Sequence, residues 1–344
     1  MTASSPARSR LSAHRLRVAG LFILPSILLV LMLLSVGVGT RPIPPRVTWD
    51  ALFAFDPANS DHLLVHHLRL PRTLLAAIVG SALGVAGAIM QALTRNPLAD
   101  PGILGVNAGA SAAIAAAIAF LGIADVTAYM AFGLVGAALA GAAVYALGNL
   151  SRAANHVRVV LAGAALSIVL LSLTQIILIN SEEQVFDQFR HWTVGSLQGR
   201  GYGVLGPVFV LVSAGLVGAL FLTRALDTAA LGNDLARALG GNPVLIWGFS
   251  AIVVVILAGG ATAAAGPIAF VGLTAPHVAR LITGPGHRWV LPYSMLLSAI
   301  LLVAADTLGR VVAPPGEVGV GIMAALIGGP FFIALVRQRR ISQL

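Results

Sequence analysis

The sequence contains no cysteine, and all 21 of its basic residues are arginine rather than lysine. Without cysteine there is no disulfide, no thiolate metal site and no cysteine nucleophile. Without lysine there is no conventional P-loop, whose lysine reaches the β- and γ-phosphates. Any ATP chemistry must then come from another chain. Charge is also scarce: 10% of the 344 residues are charged, against about 25% in an ordinary soluble domain.

What fills the space is apolar. Hydrophobic residues make up 58% of the chain, and the mean hydropathy is +0.93. Apolar runs recur from Leu21 to Val336, so lipid is the solvent for most of the chain. The net charge of +9 sits on arginines at the ends of those runs. That pattern follows the positive-inside rule and gives no reason to invoke nucleic acid.

Arg8, Arg10, Arg15 and Arg17 precede an apolar run from Val18 to Val38. The run is longer than a signal-peptide core and no Ala-x-Ala site follows it, so it reads as a retained first span. The predicted spans are 18–38, 70–93, 103–123, 128–148, 158–180, 204–223, 244–265, 267–284, 291–309 and 318–336. Pro276, His277 and Arg280 interrupt the eighth, which reads as a broken helix sheltered by protein. The expectation is an all-α polytopic membrane protein of about ten helices. Residues 1–17 and 337–344 are tails and 18–336 one membrane domain, with its longest inner loop at about 226–242.

With both termini cytoplasmic, Arg95, Arg152, Arg158, Arg224, Arg237, Arg280, Arg288, Arg337, Arg339 and Arg340 fall on or beside inner segments. Asp50, Asp56, Asp61, Asp125, Glu182, Glu183, Asp187 and Glu317 fall outside. Gly80-x-x-x-Gly84 and Gly133-x-x-x-Ala137-x-x-x-Gly141 place small residues on one helix face, for close packing within the subunit.

Three segments suggest function. In Leu68-Arg69-Leu70-Pro71-Arg72-Thr73, Arg69 and Arg72 lie three apart at the outer mouth of a span, against the charge rule. They read equally as contacts to phospholipid headgroups and as sockets for carboxylates of a docking protein. Residues 226–242 read as short helices, with Gly232 between them and Gly240-Gly241 as a stop. On the span at 158–180, Ser167 and Thr174 are seven apart and share a face near Gln175. His277 and Asp306 could be imagined as a catalytic or metal pair, but no supporting motif accompanies them. The absence of a carboxylate deep in a span argues against an ion-coupled secondary transporter.

Motifs in order along the chain then resemble the FecCD-type permease family. They are LRLPRT, the GAxMQ of Gly87–Gln91, the NPLADPGxLG beginning at Asn96, and Trp192-x-x-Gly195-Ser196-Leu197. Further on come Gly266-Pro267-Ile268 through Pro276-His277-x-x-Arg280, then Ala305-Asp306-x-x-x-Arg310. The resemblance implies a non-enzymatic, cofactor-free permease subunit of a bacterial inner-membrane ABC importer. Its cargo would be a ferric siderophore, with haem or cobalamin as the alternative. Implied partners are a second permease (the same chain or a paralogue), two ABC ATPase subunits, and a periplasmic or lipid-anchored substrate-binding protein. Spans two to five and seven to ten would be inverted repeats. By the same resemblance Arg69, Arg72 and Arg310 receive the binding protein. Leu231, Gly232, Ala236, Arg237, Leu239 and Gly240 would enter the ATPase cleft, and Ser167, Thr174 and Gln175 would line the pathway. One departure is Glu317-Val318-Gly319, with glycine where the family often has proline. A looser outer turn is expected there.

Overall fold

The computed structural model describes residues 6–148 and 156–337, with side chains for 14–148, 157–334 and 337. Arg152, Arg339 and Arg340 lie outside the described residues, as do the side chains of Arg8 and Arg10. Among the described residues the regular structure is entirely helical.

In chain order the helices are α1 (Pro6–Gly37), α2 (Pro45–Phe53), α3 (Ser60–Leu64) and α4 (Leu70–Thr94), with a π turn at Val65–Arg69 before α4. Next come α5 (Val106–Leu121), α6 (Val126–Gly148), α7 (His156–Ile179), α8 (Glu183–Thr193) and α9 (Tyr202–Ala230). The rest are α10 (Asn233–Ala238), α11 (Pro243–Val254), α12 (Gly260–Ala265), α13 (Val271–Thr283), α14 (His287–Gly309) and α15 (Val320–Arg337). A π turn at Val255–Gly259 joins α11 to α12.

Each predicted span has a helix at its position, but not all ten are membrane-crossing helices by length. Seven helical segments are long and apolar enough to cross a bilayer, while α5 and α15 are shorter apolar helices. Helix α13 has 13 residues, about 20 Å of rise, short of the ~30 Å hydrocarbon core. Phe270, at φ +67°, starts α13 abruptly, and Gly284, at φ +81°, ends it.

Helix α4 is the axis of the fold: 78% of its apolar window is buried, against 6% for α1. It packs on α14, α9 and α13. The small residues foreseen in the sequence make this possible. A Cβ on Gly80 would lie 2.6 Å from the Ser298 carbonyl oxygen, and one on Gly84 would lie 2.5 Å from that of Ser294. The two helices therefore touch backbone to backbone. The Gly133–Ala137–Gly141 face packs likewise within the chain, with Gly133 against Ile114 and Gly141 against Val255.

Candidate functional site

One end of the molecule, the one the arginine pattern assigns to the outer side, is built around one buried carboxylate. Asp306, in the last turn of α14, is 1% exposed. Arg72, in the first turn of α4 behind Pro71, donates to it from Nε and Nη2 at 2.8–3.1 Å. The third Arg72 nitrogen reaches Glu317 Oε2 at 2.6 Å. Arg310, one turn beyond Asp306, donates to the same carboxylate from Nε at 3.1 Å and also from Nη2. Its Nη1 reaches the Ser35 carbonyl of α1 at 2.8 Å. Such fork-to-carboxylate pairs are strong when desolvated.

Arg69 does not share this cluster's carboxylates. It closes the π turn before α4, and its side chain reaches the α1–α2 connection. Its guanidinium donates to the carbonyls of Val36 (3.3 Å), Gly37 (2.7 Å) and Arg41. Gly39 permits that approach, since a Cβ there would lie 2.8 Å from Nη2.

These contacts correct the expectation of open sockets. Arg69, Arg72 and Arg310 are 6%, 9% and 2% exposed, and all three tie outer helix ends together. They do line a common outward-opening cavity of about 160 Å³ with Glu317, Gln198 and Arg200. Asp306 has both oxygens occupied by Arg72 and Arg310, which leaves it no role with His277. No group of metal-ligating side chains occurs among the described residues.

The Trp192–Leu197 segment caps this region. Trp192 donates its ring N–H to the Ala263 carbonyl at 3.3 Å, and Ser196 N–H donates to Ala265 at 2.8 Å. Gly321 N–H donates to the Gly195 carbonyl at 3.0 Å. A Cβ on Gly319 would sit 2.8 Å from that same carbonyl oxygen. The glycine at 319 thus seats the turn closely against Gly195 rather than loosening it.

At the inner end two motifs far apart in sequence close on each other. A Cβ on Gly87 would lie 1.9 Å from the Gly272 carbonyl oxygen. One turn on, the fully buried Gln91 donates to the Gly272 carbonyl at 3.2 Å and accepts from Arg280. In the turn after α4, Asp100 caps the short 3₁₀ helix Pro101–Leu104 by accepting from Gly102 N–H at 2.8 Å. Burial pushes the Asp100 carboxyl above its usual range, and that hydrogen bond opposes the shift.

The inner loop folds largely as expected. Gly232, at φ +103°, precedes α10, and Gly240, at φ +81°, follows it. Leu231, Leu235 and Leu239 are each more than half exposed at spacings of four, an apolar stripe with no cover among the described residues. Arg237 and Gly240 are exposed too. Ala236 is not part of that surface: it is 1% exposed, and its carbonyl accepts from Gly241 N–H at 2.8 Å. Gly232 is also buried.

On α7, Gln175 is exposed and Ser167 half-buried. Thr174 is 2% exposed and donates to the Leu170 carbonyl at 2.8 Å within its own helix. It therefore faces inward, away from any pathway along the open face of α7. Leu161, Ile168, Ile176 and Ile179 on that face are all 60–80% exposed.

Two features escaped the sequence reading. Arg200 follows Gly199 in an outer loop, where its charge breaks the inside rule just as Arg69 does. Asp227, near the end of α9, caps α14: the His287 N–H donates to its Oδ1 at 2.9 Å, and His287 Nδ1 lies 2.7 Å from the same oxygen. No local pattern announces a pair sixty residues apart.

The profile of the FecCD transport family matches residues 27–338. The chain is 43% identical over 320 residues to the ferric enterobactin transport system permease protein FepD of Escherichia coli (strain K12), covering 92% of this chain and 95% of that one. It is 38% identical over 308 residues to the iron(3+)-hydroxamate import system permease protein FhuB of Bacillus subtilis (strain 168), covering 89% and 80%. Its fold is similar to a solved inward-facing metal-chelate type ABC transporter, with a TM-score of 0.81 at 27% identity, over 92% of this chain and 98% of that one.

Proposed function

The chain belongs to the FecCD transport family, and from that premise we propose that it is the permease subunit of a binding-protein-dependent ABC importer carrying a ferric siderophore or related iron chelate. One observation carries the reading: relatives that align over most of both chains are named for ferric enterobactin and ferric hydroxamate. It is a multi-pass protein of the inner membrane and a transport component, not an enzyme.

The finer assignments follow from chemistry. Both termini face the cytoplasm, residues 18–336 form one membrane domain, and 1–17 and 337–344 are tails. A second permease, identical or paralogous, covers the exposed face of α7, where Gln175 adjoins the pathway; Ser167 lies on the inward face with Thr174, near Gly105. Two ATPase subunits, which must supply the absent P-loop lysine, receive the Leu231–Leu235–Leu239 stripe and Arg237. Gly232, Ala236 and Gly240 shape that loop from within. The binding protein docks at the outer end, over the cavity lined by Arg69, Arg72 and Arg310. Because those guanidinium groups are engaged internally, they act there through their summed positive field and by holding the outer helix ends in place.

The test is uptake of radiolabelled ferric siderophore into proteoliposomes holding permease, ATPase and binding protein. Uptake should require ATP and the ATPase subunit, survive a protonophore, and fall sharply in Leu235→Glu and Arg237→Glu. Uptake that collapses with the protonophore, or that proceeds without the ATPase, refutes the assignment.

A further inference from the structure

The outer cavity has a charge imbalance that its own residues do not resolve. Five arginines line it: Arg41, Arg69, Arg72, Arg200 and Arg310. The carboxylates that pair with them are three: Asp61 with Arg41, and Asp306 and Glu317 with Arg72 and Arg310. Two cations, Arg69 and Arg200, have no carboxylate within ion-pair distance among the described residues; Asp61 and Glu317 act on Arg69 only through space.

Both are buried, at 6% and 5% exposed. Arg69 donates only to neutral carbonyls. Arg200 donates from Nη1 to the Tyr129 hydroxyl at 3.0 Å and lies over that ring at 5.8 Å, while its fully buried Nε has no partner. Neutral oxygens satisfy donors but leave the charge uncompensated. A buried cation without a counter-charge is costly unless an anion reaches it. The cavity opens outward and has room for a small oxyanion or several waters.

We propose that this cavity is a binding site for a small oxyanion of the phosphate or carboxylate class, held chiefly by Arg200 and Arg69. Arg72 and Arg310 are occupied by Asp306 and Glu317, so they set the positive field without being the primary ligands. Glu317 bounds the site on one side and limits it to one small anion. The inference rests on the charge balance of this chain alone and does not require the docking of a binding protein.

Two sources of the same chemistry exist, a free oxyanion in the outer solution and the phosphate of an outer-leaflet lipid. The experiment uses purified permease in phosphatidylcholine nanodiscs, titrated with inorganic phosphate against gluconate at constant ionic strength. Thermal stability and bound radiolabelled phosphate are both read. Wild type and Arg46→Gln, which removes an exposed charge from the same face, should show a saturable response with about one phosphate per chain. Arg200→Gln should weaken the apparent affinity at least tenfold. If that variant does not fold, Arg200→Lys, which keeps the charge but loses the fork, should weaken it less.

Repeating the titration with phosphatidylglycerol in the disc separates the sources. A phosphate response that persists assigns the site to a free oxyanion, and one that disappears assigns it to a headgroup. A linear, unsaturable response, absent phosphate in the wild type, or equal affinity in wild type and the Arg200 variants overturns the proposal.

Discussion

At the scale of single residues, the outer network turns on Asp306, whose one buried carboxylate bridges two guanidinium groups. Replacing it leaves Arg72 with Glu317 alone and Arg310 with backbone carbonyls only. Breaking a buried pair of this kind typically costs about 3–5 kcal/mol. Asp306→Asn should therefore lower the melting temperature in detergent clearly more than Glu317→Gln, whose side chain is 16% exposed. Equal effects would mean that the charge of Asp306 is not what holds the cluster. Asp100 predicts the opposite sign. Its carboxyl is pushed upward by burial, so the folded state holds the proton more tightly than the unfolded state does. Stability from this group is fully present below the ordinary carboxylate range and is lost as pH rises through the raised value. Asp100→Asn keeps the acceptor for Gly102 and removes that penalty, so it should match or exceed wild type at pH 7 and gain nothing at acid pH. Asp100→Ala loses the cap and should cost about 1 kcal/mol at acid pH, and less at pH 7, where it also removes the penalty of the buried charge.

At the scale of elements, glycine decides which helices touch. Gly87 and Gly206 both lie within helices. A Cβ on Gly87 would stand 1.9 Å from the Gly272 carbonyl oxygen, whereas one on Gly206 would meet nothing within 4 Å. Gly87→Ala should force α4 from α13, costing about 1–3 kcal/mol or more, and should disturb the Gln91–Arg280 contact one turn on. Gly206→Ala should be neutral or raise stability by up to about 1 kcal/mol, since alanine is the better helix former. Thermal unfolding of the two variants side by side checks the contrast; similar losses in both would remove packing as the explanation. The same reasoning explains why the GAxMQ and GPIxFxGLxxPHxxR segments occur together: each supplies the surface the other needs.

At the scale of the molecule, α14 connects the two working ends. Its first residue, His287, is held by Asp227 just ahead of the α10 loop, and its last turn carries Asp306. Between them α14 is locked against α4 at Gly80 and Gly84. On the proposed function, a displacement of α10 at the ATPase would act on a helix pair that ends in the arginine cluster. Asp227→Ala should leave the subunits able to assemble but reduce the stimulation of ATP hydrolysis by loaded binding protein several-fold. Basal hydrolysis should change little. A variant that assembles poorly yet retains full stimulation would show that the pair only stabilises the fold.

Much of this was readable in one dimension, because lipid imposes long apolar helices whose backbone groups are satisfied within the segment. The helix positions, the glycine stops around α10 and the small-residue faces all depend on neighbours a few residues away, and sequence alone determined them. Which way a side chain turns did not follow. Arg69 and Arg72 lie three apart, but Arg69 reaches the carbonyls after α1 while Arg72 meets a carboxylate 234 residues distant. Thr174 and Ala236 sit at positions that read as exposed, yet they point inward because of how α7 packs and how the α10 loop folds back on Gly241. The uncompensated charge on Arg69 and Arg200 exists only because five helices and loops meet around one cavity. Burial and charge balance are properties of that meeting, and only the tertiary structure decided them.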